Sequence, residues 1–138
     1  MRPIEEQLLL HEGLKLRPYR DTKGVLTIGV GRNLEAKGIS REEALSLLQN
    51  DIREVTGHLQ QYEWYSKLDP IRQKVIIDMC FNLGLNGLLR FRNMIAAIEA
   101  GDYQAAADHM VNSAWYKQVG SRSRRLERMM RTGEDYTD

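Results

Sequence analysis

The chain has 138 residues, 42% of them hydrophobic and 28% charged, with 20 Lys and Arg against 19 Asp and Glu. That is the size and make-up of one soluble domain with a real core, and a balance so near neutral gives no reason for a polyanionic partner. Cys80 is the single cysteine, which excludes an internal disulfide and a clustered-cysteine metal site; His11, His58 and His109 lack ligand spacing, so neither a metal nor a cofactor is expected.

Glu5 and Glu6 interrupt any signal-peptide core, and the apolar run Leu8 to Leu10 is too short for one. No apolar stretch approaches the ~20 residues of a membrane span. Pro3 opens a first helix running to about Glu12, and Gly13 stops it. Pro18 forbids its continuation, Asp21-Thr22-Lys23-Gly24 is turn chemistry, and Val25, Thr27, Ile28 and Val30 form strands. The segment 14–34 thus reads as a β-hairpin, with Gly29 and Gly31 marking a bulge or a close backbone approach. Ser40 and Glu43 form a capping box for an amphipathic helix through Leu45, Leu48, Ile52 and Val55. Asp69 and Pro70 open a helix that is apolar nearly all round, through Val75, Ile76, Met79 and Cys80 to a stop at Gly84. Shorter helices follow around Leu88, over 93–100 and over 102–110, and Ser113 and Ser121 stand as caps for the last two. The fold class is therefore α+β, mostly helical, with a small N-terminal β lobe. Such a lobe beside a helical one implies a cleft, where ligands bind.

Three side chains carry candidate chemistry. Glu12 follows Leu8 and Leu9 at helical spacing and ends its helix, where desolvation and the dipole both favour the protonated acid. A carboxylic acid of that kind can protonate the leaving oxygen of a glycoside; a solvated glutamate at a helix end is the plain alternative. Asp21 is either a turn-capping residue or the ionised partner of Glu12. Thr27 is either an ordinary strand residue or the hydroxyl that holds a water beside Asp21.

The run HEGLKLRPYRDTKGVLTIGVG, His11 to Gly31, resembles the signature of the tailed-phage lysozymes. That signature is Glu-Gly, then Tyr-x-Asp-x-x-Gly, then Thr-Ile-Gly-x-Gly, and every position is matched. Leu68 to Gly84 is similar to the family's central helix, and Ser113 to Tyr136 to its C-terminal part. The resemblance implies a single lysozyme-like catalytic domain over 1–138, with a β-hairpin lobe at about 14–34 and a helical lobe at about 60–138 joined by the helix 3–12. It implies Glu12 as general acid, Asp21 as second carboxylate and Thr27 as the threonine that places the attacking water. Phe81, Asn82, Arg122 and Gly31 fall at substrate-binding positions, and Arg122 at that of an arginine pairing with the catalytic glutamate. The implied reaction is inverting hydrolysis of the β-1,4 bond from N-acetylmuramic acid to N-acetylglucosamine in peptidoglycan. Inverting enzymes hold their carboxyls ~6.5–9.5 Å apart.

Some positions depart from the T-even members of the family. The segment from Gly31 to Ser40 is shorter, Arg32 stands at a histidine position, and Met94 and His109 replace small polar cleft residues. The outer sugar subsites are where these changes fall. The stretch Ser121 to Arg131 carries five arginines and reads first as a surface helix docked by Leu126, Met129 and Met130, with attraction to an anionic wall or membrane surface as the alternative. Without aromatic interleaving, no nucleic-acid partner is expected. The competing activities are a lytic transglycosylase, which needs one glutamate and no water, and a non-catalytic wall-binding module. The resemblance further implies a monomer made in the host cytoplasm and released to the wall by a separate holin-type pore.

Overall fold

A computed structural model describes residues 3–137, and its contacts divide the chain into two compact units, one ending at Leu48 and the other starting at Gln49. In the first unit, helix α1 spans Ile4–Glu12, followed by strands β1 (Lys15–Arg20), β2 (Leu26–Gly29) and β3 (Arg32–Asn33). The strands form one antiparallel sheet in the order β1-β2-β3. Helix α1, the sheet and the first part of the next helix fall together in this unit.

The sheet is larger than the expected hairpin by β3. Thr27 faces Asn33 and Ile28 faces Arg32 across a turn at Val30 and Gly31. A two-residue strand of Arg and Asn has no β-forming side chains, so it is made by the turn and not by propensity. The irregularity expected at the glycines lies in β1, between Lys15 and Tyr19, where Pro18 lacks a ladder donor. β1 is an edge strand, which is where a proline is tolerated.

Helix α2 (Arg41–Leu59) starts with the predicted capping box. Ser40 Oγ accepts from the Glu43 N–H at 3.1 Å, and Glu43 accepts from the Ser40 N–H at 2.8 Å. Glu43 also receives both arms of Arg32, at 2.9 and 2.6 Å, so one carboxylate fastens β3 to the start of α2. Arg32, the residue that departs from the T-even pattern, thus has a structural use within its own unit. Its guanidinium, and then the Ser40 N–H, hold the Glu43 carboxyl down to about 2. Since the folded state depresses this carboxyl, the ion pair supports the fold above the ordinary carboxylate range and is lost as pH falls toward about 2. The NMR titration of Glu43 is expected to have its midpoint there, and Arg32→Ala to move it back toward the usual ~4.3. An ordinary midpoint in the intact protein would mean that the pair does not persist in solution.

The second unit holds α3 (Glu63–Ser66), α4 (Pro70–Leu89), α5 (Arg92–Glu99), α6 (Tyr103–Val111), α7 (Ala114–Val119) and α8 (Ser121–Thr132). Asp69 caps α4 through the Arg72 N–H and Pro70 starts it, as read from the sequence. Gly84 ends its regular part at φ 76°, and a further helical stretch continues to Leu89. Val75, Ile76, Met79 and Cys80 from α4 meet Met94 and Ile98 of α5, Ala106 and Met110 of α6, Trp115, and Leu126, Met129 and Met130 of α8 in one buried cluster. Cys80 is the small apolar filler its place implied, and burial pushes its thiol pKa up. Met94 is 1% exposed and part of this core, whereas His109 is exposed.

Two capping expectations diverge. Ser113 accepts from the Tyr116 N–H and caps α7, but Ser121 is the first residue of α8, whose cap is Gly120. Ser123, fully buried, takes over the polar work there by donating to the Tyr116 and Gly120 carbonyls at 2.7 Å each. At the other end of α8, Arg72 donates to the Met130 carbonyl at 2.7 Å and stacks on Tyr103, with its carbon 3.8 Å from the ring centroid. That arginine ties the start of α4 to the end of α8.

Candidate active site

Glu12 is the last residue of α1, and Gly13 turns the chain away at φ 75°, with its N–H returning to the Leu9 carbonyl. None of the residues of α1 is buried, and Leu8 and Leu9 are 45% and 43% exposed. The apolar wall expected around Glu12 is therefore not supplied by its own helix. Leu8, Leu9 and Leu10 advance about 100° each, and so spread over the helix instead of forming one face.

What positions the carboxyl is Gly31. A Cβ at that residue would stand 2.6 Å from Glu12 Oε2 and 3.0 Å from its Cδ. The end of the Glu12 side chain thus rests on the bare backbone of the β2–β3 turn, where Gly31 adopts φ +66°. The close approach read from the glycine spacing is present, and its partner is the candidate acid itself. Gly31→Ala is expected to push the carboxyl aside and slow lysis by roughly 10–100-fold, because small misplacements at a reacting group are costly. The strained φ should also lower stability by ~1 kcal/mol. Lysis kinetics and a thermal melt check both parts; normal lysis with a lowered melting temperature would limit Gly31 to a turn residue.

Asp21 and Thr27 are tied to one peptide. Asp21 Oδ1 accepts from the N–H groups of Lys23 at 2.8 Å and Val25 at 2.9 Å, the Asx-turn role that is its plain reading. The Asp21 N–H donates to the Val25 carbonyl at 3.0 Å, and the Thr27 hydroxyl donates to that same carbonyl at 2.8 Å. Thr27 is 4% exposed, and is the only buried residue among those described in the first unit. The two residues read as a water-placing pair are accordingly locked in relation to each other by Val25, which sequence reasoning did not single out. The Tyr-x-Asp-x-x-Gly spacing is the signal that would have found it, since an Asp three residues before Gly predicts a carboxylate folded back over its own turn.

In the second unit, Phe81 is 39% exposed and offers an aromatic face. Asn82 is exposed, but its side-chain oxygen accepts from the Trp115 indole N–H at 2.7 Å, while Phe91 meets that indole edge-on at 5.9 Å. Trp115 is thus a packed core residue with a satisfied donor. The Arg122 guanidinium is held by Asp78 at 2.7 Å and also donates to the Asp78 carbonyl. Asp78 was not among the expected residues. Its i,i+4 spacing to Asn82 puts both on one face of α4, which is a legible signal. Among the described residues, no cluster of His, Cys, Asp and Glu could hold a metal ion.

Residues 10–132 match the family described as phage lysozyme. A probable T4-type lysozyme 1 of Dictyostelium discoideum is 31% identical, over 94% of this chain and 94% of that protein. The SAR-endolysin of Escherichia phage Mu is 31% identical over 88% of this chain and 74% of its own length. The pre-baseplate central spike protein Gp5 of Enterobacteria phage T4 is 29% identical over 94% of this chain, which corresponds to 28% of that protein.

Proposed function

The chain belongs to the phage lysozyme family, and from that premise we propose that it hydrolyses the β-1,4 bond between N-acetylmuramic acid and N-acetylglucosamine with inversion. It is a lysozyme, an enzyme acting on peptidoglycan. Glu12 is the general acid and gives its proton to the leaving glycosidic oxygen. Asp21 is the base. Its Oδ1 is committed to the turn, so Oδ2 is the atom that takes a proton from water.

The observation that supports this reading best is the shared Val25 peptide. Thr27 spends its hydroxyl proton on the Val25 carbonyl, and toward a water it can only accept. A water donating to both Asp21 Oδ2 and Thr27 Oγ1 has its lone pair left over for the anomeric carbon. As that bond forms, the glycosidic bond breaks, Glu12 protonates the departing oxygen and Asp21 receives the water proton. Phe81 offers a sugar-contacting face, and Gly31 serves by seating Glu12.

A second reading draws on the same bonds. The turn role of Asp21 and the strand role of Thr27 are both fully met by backbone partners, and an enzyme that used Glu12 alone would be a lytic transglycosylase. Mass spectrometry of fragments released from purified peptidoglycan separates the two. Hydrolysis yields reducing N-acetylmuramic acid ends, whereas transglycosylation yields anhydro ends and would remove Asp21 from the mechanism. We further infer from the family a monomer that accumulates in the host cytoplasm and reaches the wall through a separately encoded pore. Among the described residues, no helix is long and apolar enough to cross a membrane.

A further inference from the structure

Helix α8 carries five arginines and one acid, and the structure sorts the arginines into two groups. Arg122 is taken by Asp78, and Arg131 by Glu127, Asp108 and Gln104. Arg124, Arg125 and Arg128 have no ion pair among the described residues, and all three line one groove of about 420 Å³. Ser121 and Thr132 add hydroxyls to the same lining, and the Tyr136 ring closes one side, its centroid 5.3 Å from the Arg125 guanidinium carbon. Of the acids there, Asp135 is occupied by Lys74 at 2.9 Å, which leaves Glu134 against three cations.

The opposite face of α8, with Leu126, Met129 and Met130, is buried in the core. The helix is therefore docked, as its pattern implied, and presents its arginines from a fixed base instead of inserting an apolar face elsewhere. Arg124 and Arg128 are one turn apart and repel each other, a cost that the single carboxylate of Glu134 offsets only in part. A phosphate oxyanion would relieve it, because guanidinium forks match phosphate geometry; of the two lining hydroxyls, Thr132 donates its proton to the Arg128 carbonyl at 2.8 Å, and Ser121 is the one that adds a donor.

We propose that this groove is a phosphate-binding site, taking a phosphomonoester or phosphodiester group by the guanidinia of Arg124, Arg125 and Arg128. The group could come from an anionic lipid headgroup or from a soluble phosphate, and the chemistry of recognition is the same. The site is independent of glycan cleavage, and its test reads binding alone. Inorganic phosphate, compared with chloride at matched ionic strength, is expected to raise the melting temperature of the full chain and to shift the side-chain NMR signals of these arginines. In Arg124→Gln/Arg128→Gln the affinity for phosphate should fall at least about tenfold. That variant is expected to be no less stable than the parent, since a repulsion has been removed. Sedimentation with phosphatidylglycerol vesicles, lost in the variant and absent with phosphatidylcholine, would identify the lipid source; phosphate binding without vesicle binding would identify the soluble one. No phosphate response in the parent, or responses equal in parent and variant, would overturn the proposal.

Discussion

Glu12→Gln is expected to reduce the rate of glycan cleavage by about 10²–10⁴-fold, the usual contribution of a general acid, while leaving the fold intact. The substitution keeps the shape of the side chain and removes only the transferable proton. Glu12 is exposed and sits at the end of its helix, so the stability change should stay within ~0.5 kcal/mol. The close approach to Gly31 is steric, and an amide fits it as well as a carboxyl. Turbidity loss of substrate cells, with a melt recorded on the same preparation, checks both statements. Lysis at the parental rate would end the assignment of Glu12 as the acid.

Asp21→Asn is expected to lower the rate to a similar degree, and its value lies in what it preserves. Asn presents a side-chain oxygen in the place of Oδ1, so the bonds from the Lys23 and Val25 N–H groups survive. The turn persists and the negative charge goes. An inactive but normally stable protein would show that the charge matters beyond the turn. Full activity would make Asp21 a turn residue and favour the transglycosylase reading. Asp21→Ala serves as the contrast. It loses both acceptor bonds, and should cost ~1–2 kcal/mol of stability in addition to activity.

Local signals proved the most legible. The capping box at Ser40 and Glu43, the Asp69-Pro70 start of α4 and the Gly13 and Gly84 stops each depend on a few adjacent residues, and each is present. The α+β order followed from them, and the catalytic candidates from the dense run between His11 and Gly31. What escaped depends on contacts far apart in sequence. Strand β3 exists because a turn returns it to β2, and its two residues have no strand character of their own. The Arg32–Glu43 pair joins positions whose proximity no periodicity reports. The desolvation of Glu12 was inferred from helical spacing alone, but exposure is decided by what covers a face and not by which residues share it. Gly31 lies between these cases: its spacing points to a close approach, and the fold makes Glu12 the group approached.

The core of the second unit also bears on how long such a protein endures in an oxidising medium. Met79, Met94, Met110, Met129 and Met130 are each no more than 3% exposed, so five of the six thioethers in the chain are shielded while the unit stays closed. Oxidation to sulfoxide would plant a polar S=O group among packed apolar side chains, and the closed form could not accommodate several of them. Damage of this kind would therefore proceed through transient openings. Each modified side chain would hinder reclosure and expose the next, so the first opening is the slow step, and inactivation by peroxide should follow a single exponential whose rate tracks the opening of the unit.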